Sequence, residues 1–89
     1  MFRKATGLKG QYGSFTILLA ADFDEWRIML QRPGLVINGG RQFSESKAKE
    51  QAITIADAYF AECDPENQPP PGDAAWTALG KGEWLNWRP

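Results

Sequence analysis

Three short apolar stretches, the first two with a period of two, are followed by one long stretch with a helical period, and this switch organises the chain. From Ser14 to Ala20, Phe15, Ile17 and Leu19 fall on one side of an extended backbone, while Thr16 and Leu18 fall on the other. Asp22 to Glu25 reverses the chain into a second strand, Trp26 to Gln31. There Trp26, Ile28 and Leu30 alternate with Arg27, Met29 and Gln31. Arg32-Pro33-Gly34-Leu35 reads as a type II turn, because proline presets φ at its second position and glycine accepts the positive φ of the third. Leu35, Val36 and Ile37 then form a third strand, ended by Asn38-Gly39-Gly40.

The helix predicted over Ser44 to Glu62 starts with Ser44 as N-cap, Glu45 in the first turn and Phe43 placed to staple onto Ala48. Ala48, Ala52, Ile55, Ala56, Tyr59 and Cys63 make its apolar stripe, widened by Ile53 and Phe60, and Pro65 enforces its end. The expected architecture is α+β: a three-stranded antiparallel meander packed by one long helix, residues 14–63. A flexible arm (1–13) precedes it, and a Pro-rich linker (64–72) and a Trp-rich tail (73–89) with a short helix capped by Asp73 follow.

At 89 residues this is one domain. Folding at that length buries only about 60 to 65% of the unfolded surface, so each large apolar side chain matters. Ten Lys and Arg against eleven Asp and Glu leave a formal charge of −1, which provides no general basic field for nucleic acid. A lone Cys63 excludes an internal disulfide framework, and no apolar run approaches the ~20 residues that span a bilayer, so a cytoplasmic protein without a membrane partner is expected.

With no histidine in the chain, the commonest general base and metal ligand is missing. Cys63, on the apolar stripe near the negative end of the helix, reads as a buried structural thiol. Asp22, Asp24 and Glu25 lack the glycine and distal glutamate of a calcium loop and read as a solvated turn. Gly39-Gly40 is followed by no phosphate-binding signature. No catalysis, cofactor or metal is expected.

One helix covers one face of a sheet, which leaves a half-polar second face bearing Thr16, Leu18, Arg27, Met29 and Val36. Trp76, Trp84 and Trp87 crowd the last fourteen residues, either as core cover or as anchors for a partner. The main expectation is a protein-interaction module that holds a protein partner or a second copy of itself through a sheet edge or through Trp76, Trp84, Trp87, Arg27 and Met29. The alternative is a small nucleic-acid binder in which Arg3, Lys4, Lys9, Arg27, Arg32 and Arg41 line one side of the sheet.

The stretch Trp26 to Phe60 carries Arg32-Pro33-Gly34-Leu35-Val36, Gly39-Gly40, Ser44-Glu45-Ser46-Lys47-Ala48, and then Ala52, Ala56 and Tyr59. In these features it resembles the HicB-type antitoxin domain. The resemblance implies a partial RNase H-like β-β-β-α fold, no catalysis and a role in blocking a small RNase toxin. Arg41-Gln42-Phe43 stands where that family has a Gly-Asp-Thr-like helix start.

Overall fold

The expected meander is present, and two further strands extend it on one side. The computed structural model describes residues 6–22, 25–70, 72 and 74–78. In chain order these form β1 (Thr6–Tyr12), β2 (Phe15–Asp22), β3 (Glu25–Arg32), β4 (Leu35–Asn38), helix α1 (Glu45–Cys63), a 3-10 turn (Pro65–Asn67) and β5 (Ala75–Ala78). The five strands make one antiparallel sheet in the order β4-β3-β2-β1-β5, with α1 on one face. The class is therefore α+β, as expected, but the sheet has five strands rather than three.

Both added strands correct the sequence reading. Residues 6–12 are not an arm: Leu8, Gly10 and Tyr12 face the core, and the glycine hides the period of two between its apolar neighbours. Tyr12 pairs with Phe15 across a two-residue loop whose Gly13 takes the positive φ (59°) that tight hairpins require. Residues 75–78 are not helical. Ala75–Ala78 pairs with β1, because Gly10 leaves room for the Trp76 ring in the register opposite it. A Cβ on Gly10 would lie 2.6 Å from Trp76 Cε3. The predicted Asp73 cap lies outside the described residues, as do Trp84 and Trp87.

The Pro33-Gly34 turn joins β3 to β4 with Gly34 at φ 80°, as the type II reading requires. In α1, the Ser44 hydroxyl accepts from the Lys47 amide at 3.1 Å, and Lys49 pairs with Glu45 at 2.9 Å one turn away. The buried stripe is Ala48, Ala52, Ala56 and Phe60. Its alanines let the helix sit close on the sheet, while Phe15, Ile17, Leu19 and Leu30 fill the layer below. Phe60 meets Phe15 and Tyr59 edge-on and Tyr12 at a tilt, closing the core at the hairpin end of the sheet.

Three local expectations fail for identifiable reasons. Cys63 is exposed, because it stands nearly one turn past Phe60, which already packs at the sheet's hairpin end. Phe43 makes no staple and is 75% exposed. The linker begins as a 3-10 turn rather than as extended chain: Pro65 opens it, and the Asp64 carboxylate accepts from the Asn67 side-chain Nδ2 at 2.9 Å. Among the described residues no helix is long and apolar enough to cross a membrane.

Candidate functional site

The sequence-predicted residues are dispersed by the fold. On β5, Trp76 is half-buried on the helix side, packed against the core, with Lys49 Nζ 5.7 Å from its ring. Arg27 and Met29 occupy the opposite face of β3, together with Thr16, Leu18 and Val36. That face is not simply open, since Leu18 is only 4% exposed between Lys9 and Met29 in register. Trp76 therefore does not share a surface with Arg27 and Met29.

The basic residues divide in the same way. Lys9 and Arg27 lie on the outer face, two strands apart. Arg32 points to the helix face, where its guanidinium lies 5.7 Å from the Phe15 ring and 5.3 Å from the Tyr59 ring and binds Asp64 at 3.0 Å. Arg41 pairs with Glu25 at 3.0 Å beyond the end of β4. Arg3 and Lys4 lie outside the described residues; among the described candidates, Lys9 and Arg27 share the outer face.

Chemistry-bearing groups elsewhere serve the fold. Tyr12 Oη donates to Asp57 Oδ1 at 2.6 Å, and burial first, then that carboxylate, push the phenol up to about 12. Tyr12–Asp57 and Arg32–Asp64 tie α1 to the sheet from two strands, β1 and β3. Among the described residues no three His, Cys, Asp or Glu side chains stand together as metal ligands, and Asp24 lies outside them. An open groove of about 420 Å³ runs along α1 past Ser46, Lys49, Glu50, Ile53 and Thr54. Its charges are already paired, Lys49 with Glu45 and Glu50 with Lys47.

Of the two sheet edges, β5 and β4, the outward main-chain groups can be assigned on β4. No described strand flanks its outer side. The Gly39 amide donates to the Ile28 carbonyl at 2.9 Å, which fixes the alternation: Leu35 and Ile37 address β3, whereas the amides and carbonyls of Val36 and Asn38 point away from the sheet. Past Asn38 the chain stays alongside β3, with Gln42 exchanging main-chain hydrogen bonds with Trp26 at 2.7 and 3.0 Å. Gly40 and Arg41 together oppose Arg27 there, which is a β-bulge that ends the regular edge.

On the helix side this edge is apolar. Leu35, Ile37, Ile55 and Tyr59 are all half-buried, and a Cβ on Gly39 would meet Ile55 Cδ1 at 2.9 Å, which places Ile55 over the β4 side. Phe43, next after the Gln42 bridge, is exposed. Leu35–Asn38 carries no charge and no proline, the features with which natural edges are usually blunted. Asn38, Ile55 and Phe43 were not singled out in the sequence, because the expected meander has two edges and only the addition of β1 and β5 beyond β2 shows that the β4 side is left as it stands. Comparison with protein-family models, curated proteins and solved structures found no match to this chain.

Proposed function

We propose that this protein is a non-enzymatic protein-interaction module that holds its partner by adding a strand to β4. One observation carries the reading: Leu35–Asn38 presents outward main-chain donors and acceptors at Val36 and Asn38 beside a half-buried apolar flank. Strand addition uses the same two elements, main-chain hydrogen bonds for affinity and alternate side-chain contacts for selectivity. The resemblance to HicB-type antitoxin domains supports the same class, a small protein that works by holding another. Arg27 and Met29 on the outer face become secondary candidates, Trp76 is engaged with the core and with Lys49, and Trp84 and Trp87 lie outside the described residues.

The nucleic-acid alternative loses support at Arg32 and Arg41, whose guanidinium groups are bound by Asp64 and Glu25. The test is selection of short random peptides on the immobilised full chain, followed by binding to Asn38→Pro. That substitution removes an outward amide without touching the β3–β4 ladder. Peptides with extended, β-branched sequences that bind wild type, tolerate salt and lose Asn38→Pro are expected. Peptides held equally by Asn38→Pro would remove β4 from the site, and binding that vanishes with salt would return the outer-face cations Lys9 and Arg27 to consideration.

A further inference from the structure

The chemistry of the β4 edge specifies its occupant. Resting on the strand-addition reading above, we infer that the occupant is a second copy of this chain, paired antiparallel through β4 about a twofold axis perpendicular to the sheet.

The hydrogen bonds select the register. Only Val36 and Asn38 present outward main-chain groups within the strand, so an antiparallel copy satisfies both when Val36 of each chain faces Asn38 of the other. Ile37 then meets its own copy on the axis as the non-hydrogen-bonded pair, the closer of the two pair types. Faces are preserved, since Val36 and Asn38 lie on the outer face and Ile37 on the helix face. The sheet continues unbroken through both copies, with both helices on one side.

Charge and apolar surface agree with that symmetry. In an isologous contact each residue meets its own neighbourhood, so an edge charge would lie near its like, a destabilising arrangement. Leu35–Asn38 has no charge, and the nearby Arg32 is neutralised within its own chain by Asp64. The half-buried Leu35, Ile37, Ile55 and Tyr59 of the two copies meet along the joined strands. In the same register the chain beyond Asn38 runs past the start of the other β4, which brings Gly40 and Arg41, the latter paired with Glu25 of its own chain, opposite the exposed Pro33-Gly34 turn of the second copy. A short edge with this flank sits at the low end of specific interface sizes, so the pair is a reversible dimer whose population rises with concentration.

The deciding measurement is sedimentation equilibrium of the full chain over a wide concentration range, with wild type, Asn38→Pro and Asn38→Ala compared. Wild type and Asn38→Ala are expected to dimerise alike. Asn38→Pro, which deletes an outward donor twice per dimer, is expected to dimerise about tenfold more weakly or worse. Amide exchange on wild type gives the second reading and needs no variant: Val36 and Asn38 should be protected at high concentration and exposed at low. A monomer at every concentration, with Val36 and Asn38 exchanging freely, overturns the second copy. It leaves strand addition to be judged by the selected peptides. A dimer with those amides unprotected overturns it as well, because the copies then meet elsewhere. If Asn38→Pro fails to fold, the wild-type exchange data alone decide.

Discussion

The two edges of the sheet are each four residues long, yet they are held by opposite means. β4 follows its neighbour in sequence directly, through the Pro33-Gly34 turn, with Leu35 and Ile37 packed half-buried against the core. β5 returns from the far side of α1 to pair with β1, and its position rests on the fit of Trp76 over Gly10. A turn-built edge is robust and generic, whereas a contact-built edge is specific and vulnerable. The robust one is therefore better suited to offer its backbone to another chain, since pairing there disturbs nothing inside the molecule.

The largest break in this comparison comes at Gly10. A Cβ there would stand 2.6 and 2.7 Å from Trp76 Cε3 and Cζ3, closer than side chains tolerate. Gly10→Val should destabilise the protein by about 3 kcal/mol, from overpacking plus lost burial of the Trp76 ring. Urea midpoints with unchanged slope would register the loss. Amide exchange should show β5 released while the β3–β4 ladder keeps its protection. Equal loss of protection at both edges would mean that β5 and β4 are not independent.

Next in size is Arg32→Ala, on the side of β4. The guanidinium stacks near Phe15 and Tyr59 and bonds Asp64, with 22% and 19% of the two side chains exposed. Removing it should cost about 2 kcal/mol, a charged hydrogen bond plus partly desolvated cation–π contact. The loss should be global, because Arg32 ties the end of α1 to the sheet, and β4 should stay paired in the native state. A β4 that frays in Arg32→Ala would show that the turn alone does not hold this edge.

How much of this was legible in the sequence follows the same division. The three alternating strands, the Pro33-Gly34 turn and the Ser44-capped helix depend on residues close in sequence, and they were readable. β1 and β5 were not. Gly10 interrupts the period in β1, and Ala75-Trp76-Thr77-Ala78 has no pattern of its own. β5 is a strand only through its fit to β1, a pairing across so much intervening chain that it leaves no local signal, whereas β1 is held by its hairpin to β2 but its glycines mask the period of two. The exposure of Cys63 was hidden for a similar reason: the helical stripe continues in sequence past the point where the sheet stops.

Tyr12 and Asp57 form the counterpart of Arg32 and Asp64 on the β1 side of α1, and pH separates the two ties. The phenol rises from 10.0 in the unfolded chain to about 12 in the folded one. Below pH 10 both states keep the proton, and the contribution of Tyr12 is fully present. As pH rises from about 10 towards 12, the unfolded chain loses the proton first, so stability falls across that window. Tyr12→Phe should be less stable by about 1 kcal/mol at neutral pH and should overtake wild type within the window, since phenylalanine has no proton to lose. Urea midpoints of the two proteins at matched pH values test this. Parallel curves would mean that the phenol ionises alike in the folded and unfolded chains.

The smallest effect is predicted where the β4 edge is prolonged, at Arg41. Its ion pair with Glu25 looks like a clasp on this segment, but the arginine side chain is 68% exposed and the glutamate 33%. Pairs so exposed contribute about 0 to 1 kcal/mol, because solvent screens the attraction and both side chains lose freedom in making it. The main chain of Gln42 both donates to and accepts from Trp26, at 2.7 and 3.0 Å, and those bonds do not depend on any side chain's charge. Arg41→Ala should therefore shift stability by less than about 0.5 kcal/mol, leave the Gln42 amide protected and leave dimerisation through β4 unchanged. The converse change, Gly40→Pro, would stiffen the bulge itself. If Arg41→Ala instead exposed the Gln42 amide, the edge beyond Asn38 would be held by charge, and raised salt should loosen it in the wild-type chain as well.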